Sequence, residues 1–244
     1  MNQPLDVLLT KLASIGRLLP EYEAAIHRLP FRVVELDRGK PAAMEGEVVN
    51  HCCVVLTGLL HRQKHMLDGN RQILSFHPPG DIPDLQSLHL RKVDYTLAAN
   101  TPSVIGLLRH ADMHAMLRDH PGLTGLFWRD TLVDSARFLT WMMMIGQASA
   151  EARMAHLFCE MYVRLEAVGL IDGRAFNFKA TQADLAAAMG MSIVHANRTL
   201  QELRSTGLLA FSNGVVEILD WQRLCELAQF DSAYLHLSDD QAGT

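Results

Sequence analysis

The spacing of apolar positions switches between a helical and a strand period along the chain, and the switches divide it. Leu5, Leu8, Leu9, Leu12 and Ile15 recur at helical spacing, and Gly16 ends the pattern. A second short helical stretch covers 20–27. From 31 to 110 the period shortens. FRVVEL, VVNHCCVVLTG, LLHRQKHML, RQILSFH, YTLAAN and SVIGLL are β-rich runs, broken by turn-formers such as Asp68-Gly69-Asn70 and His77-Pro78-Pro79-Gly80. Many short strands separated by turns predict an antiparallel sandwich or small barrel, whose interior suits a small ligand.

The helical period returns over 112–118 and then, without an internal proline, over 122–145. One face of this long helix carries Trp128, Leu132, Leu139 and Met142, with Ser135 interrupting the line; another carries Phe127, Phe138, Trp141 and Ile145. A helix apolar on two sides needs two partners. One side is assigned to the barrel. The line Trp128, Leu132, Ser135, Leu139, Met142 is assigned to the same helix of a second copy across a two-fold axis. The alternative buries both faces within one monomer. Residues 146–149 are a candidate hinge, and 151–168 form an amphipathic helix. A short strand over 174–179, a closing helix over 220–230 and a loose polar tail after Tyr234 complete the outline.

The stretch 181–207, TQADLAAAMGMSIVHANRTLQELRSTG, reads as two helices around a tight turn. Thr181 and Ser192 are N-cap residues, and Gly190 supplies the positive φ of the turn. Ala186 is small enough to let the helices approach, and Ala196, Leu200 and Leu203 form the inner side of the second helix. The pattern is helix-turn-helix, in which the second helix enters the DNA major groove. An ordinary helical hairpin would share the spacing. It would not need the hydrogen-bonding set Ser192, His195, Asn197, Arg198 and Gln201 outside, nor the following LLAFSNGVVEIL, in which Asn213-Gly214 marks a hairpin wing.

Composition changes this picture in four places. The 244 residues suffice for two modest cores. The net charge of −5 is unusual for a DNA binder, and residues 174–219 carry four basic against three acidic side chains, so non-specific attachment is expected to be weak. No apolar run is long enough to span a membrane and residues 1–4 lack a signal peptide's basic start, which predicts a cytoplasmic protein. Four scattered cysteines predict reduced thiols. Cys52 and Cys53 are adjacent on a strand, so one is expected to face in and the other out, where it is a candidate redox sensor.

A β-barrel, a long helix and then a winged helix-turn-helix, with Gly80-Asp81-Ile82 as the turn into a ligand pocket, resembles the Crp/Fnr family of bacterial transcription factors. The resemblance covers nearly the whole chain and implies an α+β fold: an N-terminal cyclic-nucleotide-binding-like barrel with helices (1–120), a dimerisation helix (121–146) and a DNA-binding domain (147–244). It implies double-stranded DNA, a second copy of the chain and RNA polymerase as partners, no membrane, no catalysis, and allosteric control by an effector in the barrel. Its pocket would fall on Asp84, Leu85, Gln86, Ser87, Asp94 and Tyr95. Cyclic-nucleotide binders of the family place a Gly-Glu pair after that turn for the ribose and an Arg-Ser pair further on for the phosphate. Here Pro83 replaces the Gly, Asp84 stands for the Glu, and Asp94-Tyr95 stands near the Arg-Ser, so a carboxylate would face the phosphate and cyclic AMP is not expected. The effector stays unidentified.

An iron–sulfur cluster is not expected, because no cysteine precedes Cys52. For haem, His51, His61, His65 and His77 are candidate axial ligands with Cys52 or Cys53 opposite, though no two sit in a haem-specific motif. On the reading helix, Arg198 falls on the family's base-reading arginine, whose usual partner is a guanine edge. Ser192 and Thr181 fall on phosphate-contacting helix starts, and Gln182 is a further DNA-binding candidate. The other two base-reading positions fall on Ile193 and Val194, which offer only apolar contact, for instance to thymine methyls. His195 and Gln201 supply further contacts. Two other functions compete. A dimerisation module without DNA binding would suit the acidic balance; a cupin-like metalloenzyme would need a close His-x-His pair, where the chain has only His61 and His65.

Overall fold

The computed structural model describes residues 3–90 and 92–238. They form two compact units that divide inside one long helix: 3–64, 74–90, 92–134 and 236–238 in the first, 65–73 and 135–235 in the second.

The first unit opens with α1 (Asp6–Ile15) and α2 (Pro20–His27). Strands follow: β1 (Phe31–Leu36), β2 (Pro41–Ala43), β3 (His51–Thr57), β4 (Leu60–His65), β5 (Arg71–His77), β6 (Thr96–Ala99) and β7 (Ser103–Arg109). α3 (His110–Asp119) leads into α4 (Pro121–Gln147). The strands form two sheets, β1-β7-β3 and β2-β6-β4-β5, with antiparallel pairs such as Val54 opposite Gly106 and Leu60 opposite Ala99. The expected barrel is therefore corrected to an open two-sheet sandwich. β2 is only three residues long, starts at a proline that has no N–H to give, and slips register between Pro41 and Ala43. Register also slips on β3 between Val55 and Thr57.

Strands β3 and β7 of the β1-β7-β3 sheet are buried on both faces. Cys52, Val54 and Leu108 join Leu8, Leu12, Ile26, Met113 and Leu123 from the helices, while Cys53, Val55, Ile105 and Leu107 pack on Leu60, Leu97 and Ala99 across the sandwich. That explains the unbroken apolar run on β3, which carries no alternation. It also corrects the expectation of one outward thiol: Cys52 and Cys53 do point to opposite faces, but both faces are covered.

The second unit holds α5 (Ala150–Glu166), β8 (Ile171–Asp172), β9 (Ala175–Asn177), α6 (Gln182–Met189), α7 (Ile193–Ser205), β10 (Leu209–Ser212), β11 (Val215–Ile218) and α8 (Trp221–Ala228). Its sheet runs β10-β11-β9-β8. The strand expected over 174–179 is thus one arm of a small hairpin that turns at Gly173, φ 59°. Met154, Phe158, Met161, Phe178, Leu203 and Leu224 are fully buried here. At the centre Glu160 accepts from Arg137 Nε and Trp141 Nε1, both at 3.1 Å, from Arg164 Nη1 at 3.2 Å and from Tyr234 Oη at 3.0 Å. Burial works against its charge, yet the two arginines hold the carboxyl below the usual range.

Two further expectations change. Trp141 on α4 is buried as expected, but Phe138 and Ile145 are exposed; the inner line is Leu123, Phe127, Asp130, Val133, Arg137, Trp141 and Met144. Two of those are charged, so counting apolar residues alone misplaces the face. The tail after Tyr234 is not loose as far as Ser238. Leu235 is buried, and Ser238 N–H donates to Ser14 O at 2.7 Å. The rest of that tail, 239–244, lies outside the described residues.

Candidate nucleic-acid interface and effector turn

The reading helix is fixed at both ends by its own sequence. Thr181 caps α6 through a capping box with Asp184: its hydroxyl accepts from Asp184 N–H at 3.2 Å, and Asp184 Oδ2 accepts from Thr181 N–H at 2.9 Å. The same hydroxyl donates to Asp184 Oδ2 at 2.7 Å, and Arg71 Nη2 donates to Asp184 Oδ1 at 2.7 Å. Gly190 stops α6 at φ 64°, ψ 41°, and Ser192 Oγ then accepts from His195 N–H at 3.2 Å to open α7. α7 packs through Ala196, Thr199, Leu200 and Leu203. Ser192, Ile193, Val194, Arg198 and Gln201 are exposed, while His195 is half-buried. All of the expected reading residues on α7 thus sit on or beside one outer face. Among the described residues Arg198 has an ion pair with Glu202, at 3.8 Å one turn on.

The wing forms as expected. Asn213 and Gly214 both take positive φ, 53° and 75°, and a Cβ on Gly214 would come within 2.6 Å of Lys179 Cγ. Thr181, Gln182, Ile193, Arg204, Phe211 and Asn213 line an open cleft between α6, α7 and the wing. Thr181 spends both its hydroxyl and its N–H on Asp184. What α6 offers a phosphate is therefore its first-turn backbone N–H groups at Gln182 and Ala183. Sequence reasoning missed Asp184, although Thr181-x-x-Asp184 is a local capping-box signature, and Arg71, whose pairing from over a hundred positions away leaves no local signal.

The effector turn is built the opposite way. Gly80 takes φ 95°, where a Cβ would lie 2.8 Å from Val7 O, so the chain can turn there only as glycine. Beyond it the expected pocket residues scatter. Leu85 is in the core, Ser87 Oγ pairs with His110 Nε2 at 2.9 Å, and Asp94 is exposed, which corrects the expectation of a carboxylate facing into a phosphate site. Arg62, unnoticed in the sequence, fills the space instead. Only 3% exposed, it donates through Nε to Pro83 O at 2.7 Å and through Nη1 to Asp134 Oδ2 at 2.6 Å, and it lies over the Tyr95 ring at 4.9 Å. Tyr95 Oη donates to the same carbonyl at 2.8 Å and accepts from Gln86 Nε2. Asp84 does not reach outward as a ribose-binding Glu would; its Oδ1 accepts from Cys53 N–H at 2.7 Å, and burial raises its pKa to about 7.

The haem candidates do not converge. His77 has both ring nitrogens engaged, by Ser75 Oγ at 2.7 Å and Asp81 Oδ2 at 2.8 Å, and burial aided by Arg62 lowers its pKa to about 4. His61 pairs with Gln63 and His51 with Asn50. His65 is exposed at the end of β4. Burial pushes the thiols of Cys52 and Cys53 well up, so neither is a ready thiolate, and the redox and axial-ligand roles expected for them are not supported. Among the described residues no three His, Cys, Asp or Glu side chains are grouped to hold a metal ion. Among them too, no helix is long and apolar enough to cross a membrane.

A two-sheet sandwich followed by a long helix and a winged helix-turn-helix defines a DNA-binding regulator with a ligand-domain scaffold. Comparison with known proteins carries this further. Residues 33–120 match the family model of a cyclic nucleotide-binding domain, and 152–227 that of a Crp-like helix-turn-helix domain. The chain belongs to the Crp/Fnr family of transcriptional regulators. It is 25% identical over 203 residues to the transcriptional activator protein FnrL of Cereibacter sphaeroides, covering 80% of this chain and 79% of that one. It is 24% identical over 183 residues to the nitrogen fixation regulation protein FixK of Rhizobium meliloti, covering 74% and 79%. Its fold matches FixK2 from Bradyrhizobium japonicum with a TM-score of 0.74 at 22% identity, over 82% of this chain and 98% of that one.

Proposed function

We propose that the chain is a homodimeric, sequence-specific DNA-binding transcriptional regulator of the cytoplasm, not an enzyme. In this reading 147–244 bind DNA, 121–146 dimerise and the N-terminal sandwich governs the arrangement. The observation that carries it is the outer face of α7, which exposes Arg198 and Gln201 beside a formed wing. The dimer is supported by α4, whose Trp128, Leu132, Ser135, Leu139 and Met142 are all exposed in one line. Four large apolar side chains in a single stripe need cover, and a second copy brings a second reading helix, as a two-fold operator requires. RNA polymerase is the further partner that activation would need.

Control by cyclic AMP does not fit, because Arg62, Tyr95 and Gln86 already occupy the turn. The test is selection of binding duplexes from a random library, with the mass of the complex measured in solution. A two-fold-symmetric site bound by two chains is expected. A monomer that retains no duplex would overturn the reading in favour of a module without DNA binding.

A further inference from the structure

The first turn of α7 presents side chains that hydrogen-bond to nothing a base could offer. Val194 is 81% exposed and Ile193 52% exposed, at the end of the helix that a helix-turn-helix points at base edges. Neither is needed for packing, which α7 achieves through Ala196, Thr199, Leu200 and Leu203. Val194, Arg198 and Gln201 stand at i, i+4 and i+7, so they form one stripe along the exposed face. Ile193 turns towards the cleft beside Gln182 and Phe211, leaving Val194 as the outermost apolar group.

In the major groove the one apolar feature that distinguishes base pairs is the methyl group on pyrimidine C5. We propose that Val194, flanked by Ile193, reads a pyrimidine 5-methyl group next to the guanine bonded by Arg198, so that each half-site holds a thymine there for its methyl rather than for its hydrogen-bonding edge. This rests on the DNA-reading function above. Because the contact is to the methyl alone, 5-methylcytosine serves at that position as well as thymine does, and unmethylated cytosine does not. The rigid χ1 of a β-branched side chain at the helix start holds the methyls in place before DNA arrives.

The test uses the full chain and the duplex selected from a random library. Thymines are replaced singly by deoxyuridine, which removes only the methyl, and in a second series the critical thymine·adenine pair is replaced by 5-methylcytosine·guanine or cytosine·guanine. One thymine per half-site, within two base pairs of the Arg198-dependent guanine, is expected to lose about fourfold in affinity on losing its methyl, the worth of one buried methyl-sized group. The 5-methylcytosine duplex is expected to bind about fourfold tighter than its cytosine counterpart. In Val194→Ala both differences are expected to vanish while the melting temperature holds, since the side chain is exposed. Equal binding of thymine and deoxyuridine at every position, or selection of G·C pairs alone within two base pairs of the Arg198-dependent guanine, overturns methyl reading while leaving the DNA-binding function intact. Failure to select any duplex overturns both.

Discussion

The effector turn and the reading helix are finished to opposite degrees. Around Pro83 the polar side chains bond to the turn and to one another: Arg62 and Tyr95 share the Pro83 carbonyl, Asp134 accepts from the guanidinium, and Asp84 accepts from Cys53 N–H. On α7, Arg198 is exposed and has one loose neighbour at 3.8 Å, and Val194 stands almost fully in solvent. A site that has satisfied itself has little free energy left to give a ligand, because binding must first break bonds of equal quality. A site with exposed, unsatisfied side chains on a rigid helix gains whatever it meets. The contrast is between a turn whose side chains bond one another and a helix whose outer face is open.

If the turn is structural, disturbing it costs stability. Arg62→Ala removes the donors of Pro83 O and Asp134 Oδ2 and empties the space beside Tyr95; breaking a buried pair of this kind costs about 3–5 kcal/mol. Urea unfolding is expected to show that loss. A change under about 1 kcal/mol would mean that the turn is a vacant pocket with a mobile lid, and the contrast would fail.

Asp84 sharpens the same point through pH. Its folded pKa of about 7 lies above the ordinary carboxylate value, so the folded state binds the proton more tightly than the unfolded one. The stability it contributes is present at acid pH and is lost as pH rises through about 7. Asp84→Asn keeps an oxygen for Cys53 N–H and removes the charge. Relative to the parent, the variant is expected to gain roughly 2–3 kcal/mol between pH 5 and pH 8. His77, lowered to about 4 by burial, acts in the other direction but is common to both proteins and cancels in the difference. A gap that does not change with pH would show Asp84 ionised throughout.

The same division governs what could be read from the sequence. The reading helix was legible because its determinants are local: two caps, a positive-φ glycine and a 3.6-residue apolar period lie within 27 residues of one another. The strands were legible for the same reason, and β5 falls on RQILSFH residue for residue. Arg62 was not. On β4 it shares the inward face with Leu60 two residues before it, where a charge has no local partner, and only the fold brings Pro83 and Asp134 to it from 21 and 72 residues away. Cys52 was misjudged because strand alternation assumes one wet face, and helices cover the face on which it stands. Glu160 escaped notice because its four partners come from α4, α5 and the chain beyond α8. Long-range polar closure, whether at the turn or at Glu160, leaves no period to detect.

On the open side the expected changes are smaller and appear in binding. Arg198→Ala should lose about 1–3 kcal/mol of operator affinity per half-site, the worth of a bidentate arginine–guanine contact. Its unfolding free energy should stay within about 0.5 kcal/mol, since the side chain is 68% exposed. Fluorescence anisotropy on the selected duplex, beside a urea melt, measures both. A stability loss without a binding loss would place Arg198 in the packing and reverse the roles assigned to the two regions.

The smallest expected effect is none at all, and it bears directly on the closed side. A ligand that binds only the folded state raises stability by RT ln(1 + [L]/Kd), about 2.7 kcal/mol when it is present at a hundred times its Kd. Cyclic AMP or cyclic GMP would have to displace Arg62 from Pro83 and Asp134, where its guanidinium is already spent. At millimolar concentration neither nucleotide is expected to move the melting temperature or the affinity for the selected duplex. A shift in either would mean that Arg62 swings out and exchanges Asp134 for the phosphate. The same nucleotide added to Arg62→Ala separates the two cases: a plug that hides a working pocket would give a larger shift in the variant than in the parent, whereas a turn without phosphate chemistry gives none in either.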